Sequence, residues 1–228
     1  MQNKSIVVIA AHPDDETLGC GGTIARFAME GKDVHVVFLA DGVGSRSENG
    51  IPDPRELTDR RQAAEKACKI LGVQSLEFGD HPDNQLDTVS LLQFVQAVEA
   101  QIAVFRPDTV ITHNAGDLNI DHQRVHQAVI TACRPQPGHP VNTLLFFETL
   151  SSTEWQIPGS GPSFAPNWFI DITTTLDRKL EAIQCYNSEM HPWPHSRSLN
   201  AAEYLARWRG VSAGMEAAEA FVLGRKRI

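Results

Sequence analysis

The sequence is poor in the features that would remove it from the ordinary globular class. Of its 228 residues only four are cysteine, Cys20, Cys68, Cys133 and Cys185, and no two form a Cys-x-x-Cys pair. Such spacing gives neither a disulfide framework nor a thiolate metal site, so the four read as reduced, mostly buried thiols. No apolar run approaches the roughly 20 residues that a membrane span needs. The amino-terminal string MQNKSIVVIAAHPDDE has one lysine and passes from a short apolar stretch directly into acids. It therefore does not read as a secretory signal, and a cytoplasmic protein without membrane insertion is expected. Positive charge is the scarcer sign, 20 Lys plus Arg against 28 Asp plus Glu for a net −8. That balance gives no electrostatic basis for a nucleic-acid partner.

What is present is a core. With 42% hydrophobic and 21% charged residues the chain can bury a substantial interior, and its length predicts one domain over 1–228. Strand-like and helix-like segments alternate, the pattern of a mostly parallel sheet with helices on its faces. Strands are predicted at Ser5–Ala11, Val34–Ala40, Ser75–Phe78, Thr109–His113, Leu144–Glu148 and Trp168–Ile172. Helices are predicted from about Leu18 to Glu30, Arg55 to Leu71, Val89 to Phe105, Asp121 to Cys133, Thr174 to Tyr186 and Asn200 to Leu223. The Gly, Ser, Asn and Pro content of Asp41–Pro54 marks a long surface loop. A loop-and-helix region from about 149 to 228 is placed to cover a site.

Ligands of open parallel sheets bind beyond the carboxyl ends of the strands. The string AHPDDE sits there, after the first strand, and packs His12, Asp14, Asp15 and Glu16 together. Crowded acids repel one another unless a positive group joins them, and a divalent cation is one such group. A hydrolytic zinc site takes three protein ligands and leaves a position for water. His12 and Asp15 offer two. The third is open between His122 in DLNIDH, His126 one turn further, and His113 at a strand end. Gly19, Gly21 and Gly22 do not make a dinucleotide site, because carboxylates occupy the turn where a pyrophosphate would lie; close helix–sheet packing is the simpler reading.

AHPDDETLGCGGTIA, followed after another strand by DH at a helix start, resembles the zinc-dependent PIG-L, or LmbE-like, N-deacetylase family. The likeness extends through RELTDRRQAAEKACKILGV and HPDNQLD and thins after about Glu148. The resemblance implies a Rossmann-like three-layer α/β sandwich and removal of an acetyl group from an N-acetylglucosamine-type amino sugar or its conjugate. It makes His12, Asp15 and His122 the ligands of Zn2+ or another divalent metal, and Asp14 the general base. It also implies Asp83 and Arg55 as sugar contacts, with Arg46 and Arg60 as substitutes for the latter.

One position departs from the family pattern. Many members carry a histidine where this chain has Asn119, paired there with the acid that is Asp121 here, and an amide cannot supply a full positive charge. Compensation is expected from His195, His191 or Arg197 in HPWPHSR, with Trp155 and Trp193 available to stack on a sugar face. The catalytic set is thus Asp14, Asn119, Asp121 and His195. A small amino sugar is the expected partner, and homo-oligomerisation is left open. The alternatives are an amidase acting on a non-sugar acylamine or thiol conjugate, and a noncatalytic metal- or carbohydrate-binding protein.

Overall fold

The computed structural model describes residues 5–46 and 52–228, the side chain of Arg46 excepted. Its elements run β1 (Ile6–Ala10), α1 (Asp15–Met29), β2 (Val34–Ala40), α2 (Pro54–Leu71), β3 (Ser75–His81), α3 (Leu91–Phe105), β4 (Thr109–His113), α4 (Ile120–Ala132), β5 (Thr143–Phe147), β6 (Trp168–Asp171), α5 (Leu176–Gln184), α6 (Leu199–Val211) and β7 (Ala218–Lys226). The described strands form one sheet in the order β3-β2-β1-β4-β5-β7-β6. The first five are parallel, and β7 runs antiparallel to both of its neighbours.

Buried side chains alternate along β1 as the two-residue period of a strand requires. Ile6, Val8 and Ala10 face a core shared with α1, α2, α5 and α6, through residues such as Ile24, Ala67, Ala182 and Ala206. Val7 and Ile9 face the opposite layer, built on Phe94, Val98 and Ile102 of α3 and Val125 and Val129 of α4. The three-layer α/β sandwich is therefore a direct product of β-branched runs buried on both faces. Close packing of α1 on the sheet needs its glycines: a Cβ on Gly19 would run into the Phe147 ring, and one on Gly22 would lie 2.7 Å from Ile172.

One expected helix is corrected. The segment from Asn200 to Leu223 is not continuous helix: α6 stops at Val211, Gly214 takes a left-handed φ of 74°, and the chain returns as β7. Ala, Glu and Leu favour helices, which is why the string AAEAFVL misleads. Pairing overrides that preference, since β7 is hydrogen-bonded on both edges and buries Phe221 fully. The sheet gains an antiparallel strand from it. Smaller shifts concern the site directly: α1 begins at Asp15 and not three residues later, and β3 continues to His81.

Strand order reverses between β1 and β4, which pair directly from Ile6 opposite Thr109. Chains leaving the two strands diverge there and open a crevice. His12 to Glu16 follow β1, and His113 to His122 follow β4.

Candidate functional site

The turn after β1 is strained and tightly held. Asp14 has φ 136°, a conformation rare for a residue with a side chain. Its carbonyl accepts from Thr17 N and Leu18 N at the start of α1, and its own N–H donates to Glu16 Oε2 at 3.0 Å. Glu16 is braced in turn by the buried Tyr186, whose hydroxyl donates to Oε1 at 2.6 Å. Burial pushes the Glu16 carboxyl up to about 8 against that hydrogen bond. A strained backbone persists only where its surroundings over-determine it, and these contacts do so.

Three side chains converge in the crevice. Ligand-capable atoms of His12, Asp15 and His122 all lie within 4.8 Å of one another. His122 Nε2 and Asp15 Oδ1 face each other at 3.3 Å, both are buried, and neither has a hydrogen-bond partner. Orphaned atoms of this kind are costly unless something else satisfies them. A divalent cation fits the donor set, two imidazoles and a carboxylate with no competing thiolate.

Each imidazole offers one nitrogen to Asp15 and gives the other to a further carboxylate. His122 Nδ1 lies 3.1 Å from Asp117 Oδ1, and His12 Nε2 lies 2.9 Å from Asp121 Oδ2, with His12 Nδ1 3.4 Å from Asp15 Oδ2. Carboxylates behind metal-binding histidines fix the tautomer and ring orientation. Asp117 is itself anchored by hydroxyl donation from Ser152 and Thr153, and Asp121 by the N–H groups of Asn84 (2.7 Å) and Leu86 (2.9 Å). The partner of Asp121 is thus His12.

The electrostatics follow from this packing. Burial opposes charge on His122, but Asp15 and Asp117 outweigh it and raise the imidazole to about 9. Burial likewise opposes charge on His12, and hydrogen bonds to Asp121, Asp15 and Asp83 raise it well above its ordinary value. Asp15, despite burial, is held well below the usual carboxylate range by His122 and His113. In the metal-free protein these groups form a salt-bridged cluster whose protons a cation would displace.

Neither rival histidine is among the three groups whose ligand atoms converge, although the His113 ring stacks on His122 and its Nε2 lies 3.4 Å from Asp15 Oδ2. His113 Nε2 accepts from Ala11 N at 2.9 Å, and burial together with His122 lowers its pKa well below the ordinary value. His126 Nδ1 lies 2.9 Å from the His113 carbonyl, a bond in which the ring must donate.

Asp14 stands apart from the three. Its Oδ2 accepts from Arg197 Nη1 at 2.6 Å, while its Oδ1 is buried and has no partner. Burial raises its pKa against the pull of Arg197, with Asp15 adding to the rise. Arg197 also donates through Nε to Ser151 Oγ at 2.6 Å, and its backbone N–H donates to His195 Nδ1 at 3.0 Å. Arg60, buried, donates to the Pro13 carbonyl at 3.0 Å, pairs with Glu189, and lies 3.8 Å from Asp14 Oδ2.

A cavity of about 280 Å³ opens over this arrangement, lined by His12, Asp14, Arg60, Asp83, Asn119, Trp155, His195 and Arg197 among others. Asp83 is buried, accepts from Ser45, and sits 3.1 Å from His12 Nε2; burial would raise its carboxyl, yet the His12 and Ser45 contacts lower it to about 2. Asn119 caps α4 by accepting from Asp121 N at 2.8 Å, and its amide donates to Asn84 Oδ1 at 3.0 Å. His195 is half-buried, its ring 5.7 Å from Trp155.

Arg55 is placed differently from expectation. It is exposed on the first turn of α2 and is not among the described residues lining the cavity; Arg60, more than a turn further along the same helix, is. The first turn of α2 is mostly exposed, and Arg60 is the first buried residue along the helix. The Arg46 side chain lies outside the described residues. Asp117, Glu189 and Tyr186 were not singled out from the sequence. Asp117 carried a signal nonetheless, an acid in the same strand-end loop as His122, whereas Glu189 and Tyr186 reach the site from a segment where the motif similarity has faded.

Fold and site together define an α/β enzyme scaffold with a His/Asp cluster able to hold a metal ion, and the family model described as PIG-L, GlcNAc-PI de-N-acetylase, matches residues 7–133. The chain belongs to the PIG-L family. It is 31% identical over 178 residues to the Escherichia coli protein described as uncharacterized deacetylase YaiS, covering 75% of this chain and 83% of that one. It is 30% identical over 223 residues to the 1D-myo-inositol 2-acetamido-2-deoxy-alpha-D-glucopyranoside deacetylase of Rhodococcus erythropolis, with 76% and 75% covered. Among solved structures it is similar to GalB, the 4-carboxy-2-hydroxymuconate hydratase of Pseudomonas putida, at TM-score 0.75 and 26% identity, covering 99% and 98% of the two chains. Among the described residues no helix is long and apolar enough to cross a membrane.

Proposed function

We propose that the protein is a zinc-dependent N-deacetylase, cytoplasmic and working as one domain over 1–228, that hydrolyses the acetamide of an N-acetylglucosamine-type amino sugar or its conjugate. The observation that carries the reading is the division of labour between two adjacent acids. Asp15 shares a buried cluster with two imidazoles, while Asp14 is not part of it and is held by Arg197 through one oxygen. A site that only bound a cation would have no use for the second acid.

A zinc ion held by His12, Asp15 and His122 would polarise the acetamide carbonyl and lower the pKa of a water molecule toward neutrality. Asp117 and Asp121 keep the two rings oriented. Asp14 Oδ1 takes the proton from the attacking water, and the same carboxyl hands it to the departing amine, leaving acetate and a free amino sugar. Arg197 keeps the other oxygen of Asp14 aimed and adds positive charge beside the cavity where the acyl oxygen becomes negative. His195 fixes the backbone of Arg197. Asp83 and Arg60 line the same cavity and are placed to meet sugar hydroxyls, and Asn119 can donate there only by releasing Asn84.

A screen of N-acetylated sugars and acylamines for acetate release, with native, chelator-treated and Asp14→Asn protein, tests the reading. Full activity in the treated and substituted samples rejects it. The similarity to a hydratase gives a second reading, addition of water to a conjugated double bond. Loss of ultraviolet absorbance from an unsaturated dicarboxylate, without acetate release from any amide, would favour that reaction instead.

A further inference from the structure

We propose that the buried pair Lys179–Glu219, remote in sequence from the motif, is a splint across a break in α1 that sets Asp15 for metal binding, making both positioning residues. The inference rests on the metal reading above. Helix α1 is not continuous: Cys20 has φ −148° and ψ 24°, outside helical values. A break leaves N–H groups unsatisfied on its carboxyl side and carbonyls on its amino side. Gly22 N and Thr23 N donate to the two carboxylate oxygens of Glu219 at 2.9 and 2.7 Å. Lys179 Nζ donates to the Leu18 carbonyl at 2.9 Å and to Glu219 Oε1 at 2.6 Å.

Each charge thus meets the helix end of opposite partial charge, a carboxylate at the new amino end and an ammonium at the new carboxyl end. Both are buried, at 5% and 4% side-chain exposure, and they come from α5 and β7, not from α1 itself. Stability alone does not call for this device, because an unbroken helix would need no buried ions, and buried pairs are weak contributors to stability. What the break changes is geometry. In a single straight helix the position of Asp15 would follow from how Ile24 and Ala25 pack on the sheet. Broken at Cys20, the first segment takes its own direction, with Gly19 against Phe147 and Asp15 turned to His12 and His122. The splint then fixes that direction from outside the helix.

The test is zinc titration of the metal-stripped full-length protein by calorimetry, with urea unfolding of each variant alongside. Glu219→Ala is expected to weaken zinc binding roughly tenfold or more, the loss typical of removing support behind a ligand. Glu219→Gln, which keeps an acceptor for the N–H groups, is expected to lose less. Val98→Ala destabilises the opposite layer without touching the break and is expected to leave zinc affinity unchanged. Wild-type affinity in folded Glu219→Ala, or an equal loss in Val98→Ala, overturns the proposal. If Glu219→Ala does not fold, Glu219→Gln decides: affinity equal to that of Val98→Ala overturns the proposal, and weaker binding supports it. His122→Ala is the separate check on the metal reading, which fails if that variant binds zinc like the wild type.

Discussion

Two clusters of buried charge lie at opposite ends of the short first segment of α1, and they are finished differently. At the Cys20 break, Lys179 and Glu219 satisfy each other and the backbone groups around them. At the strand ends, Asp14 Oδ1, Asp15 Oδ1 and His122 Nε2 are buried with no partner. Burying a polar atom without a hydrogen bond costs roughly 1–3 kcal/mol. A fold able to complete one cluster and leaving three such atoms in the other is holding them for something that binds or reacts. Burial and charge therefore do not distinguish the two clusters; what differs is that the carboxylate and ammonium at the break are hydrogen-bonded, whereas three atoms of ionisable groups at the strand ends are not.

The sharpest way to break the contrast is to remove an orphan. His122→Ala should abolish measurable zinc binding and acetate release together, checked by metal analysis and turnover. Asp14→Asn should leave zinc binding intact and lower kcat by roughly 10² to 10⁴, the range for a positioned general base. Asp117→Asn leaves every first ligand in place, and should weaken zinc about 10- to 100-fold in a titration. The smallest effect is one of pH on the metal-free protein, read as the urea midpoint. His122 is raised from 6.5 to about 9, so its contribution is whole below 6.5 and is lost as pH rises through about 9. Asp117, lowered from 3.8 to about 2, contributes above 3.8 and loses that contribution as pH falls through about 2. Stability from this pair should therefore be greatest between the two ordinary values. Bound zinc should flatten the alkaline decline, because it holds His122 unprotonated.

The sequence revealed the near half of this arrangement better than the far half. The strand-helix alternation and the placement of His12, Asp15 and His122 beyond the strand ends follow from local signals, periodicity and a compact motif. Lys179, Glu189 and Glu219 matter through contacts across the fold, and nothing near them in sequence reports what they touch, whereas Arg197 was legible as a candidate because it shares a short loop with two histidines. The reading of β7 as helix failed for the same reason, since its neighbours β5 and β6 are far from it along the chain. Arg55 and Arg60 illustrate the local version: both lie on α2, and only the helix direction decides which one reaches the crevice.

The insertion of β7 between two earlier strands has a consequence for synthesis. A nascent chain that has emerged as far as Val141 already carries His12, Asp15 and His122, yet Arg197 and Glu219 are still to be made. On the ribosome, the side chains that would hold a cation are therefore made before the residues that position them.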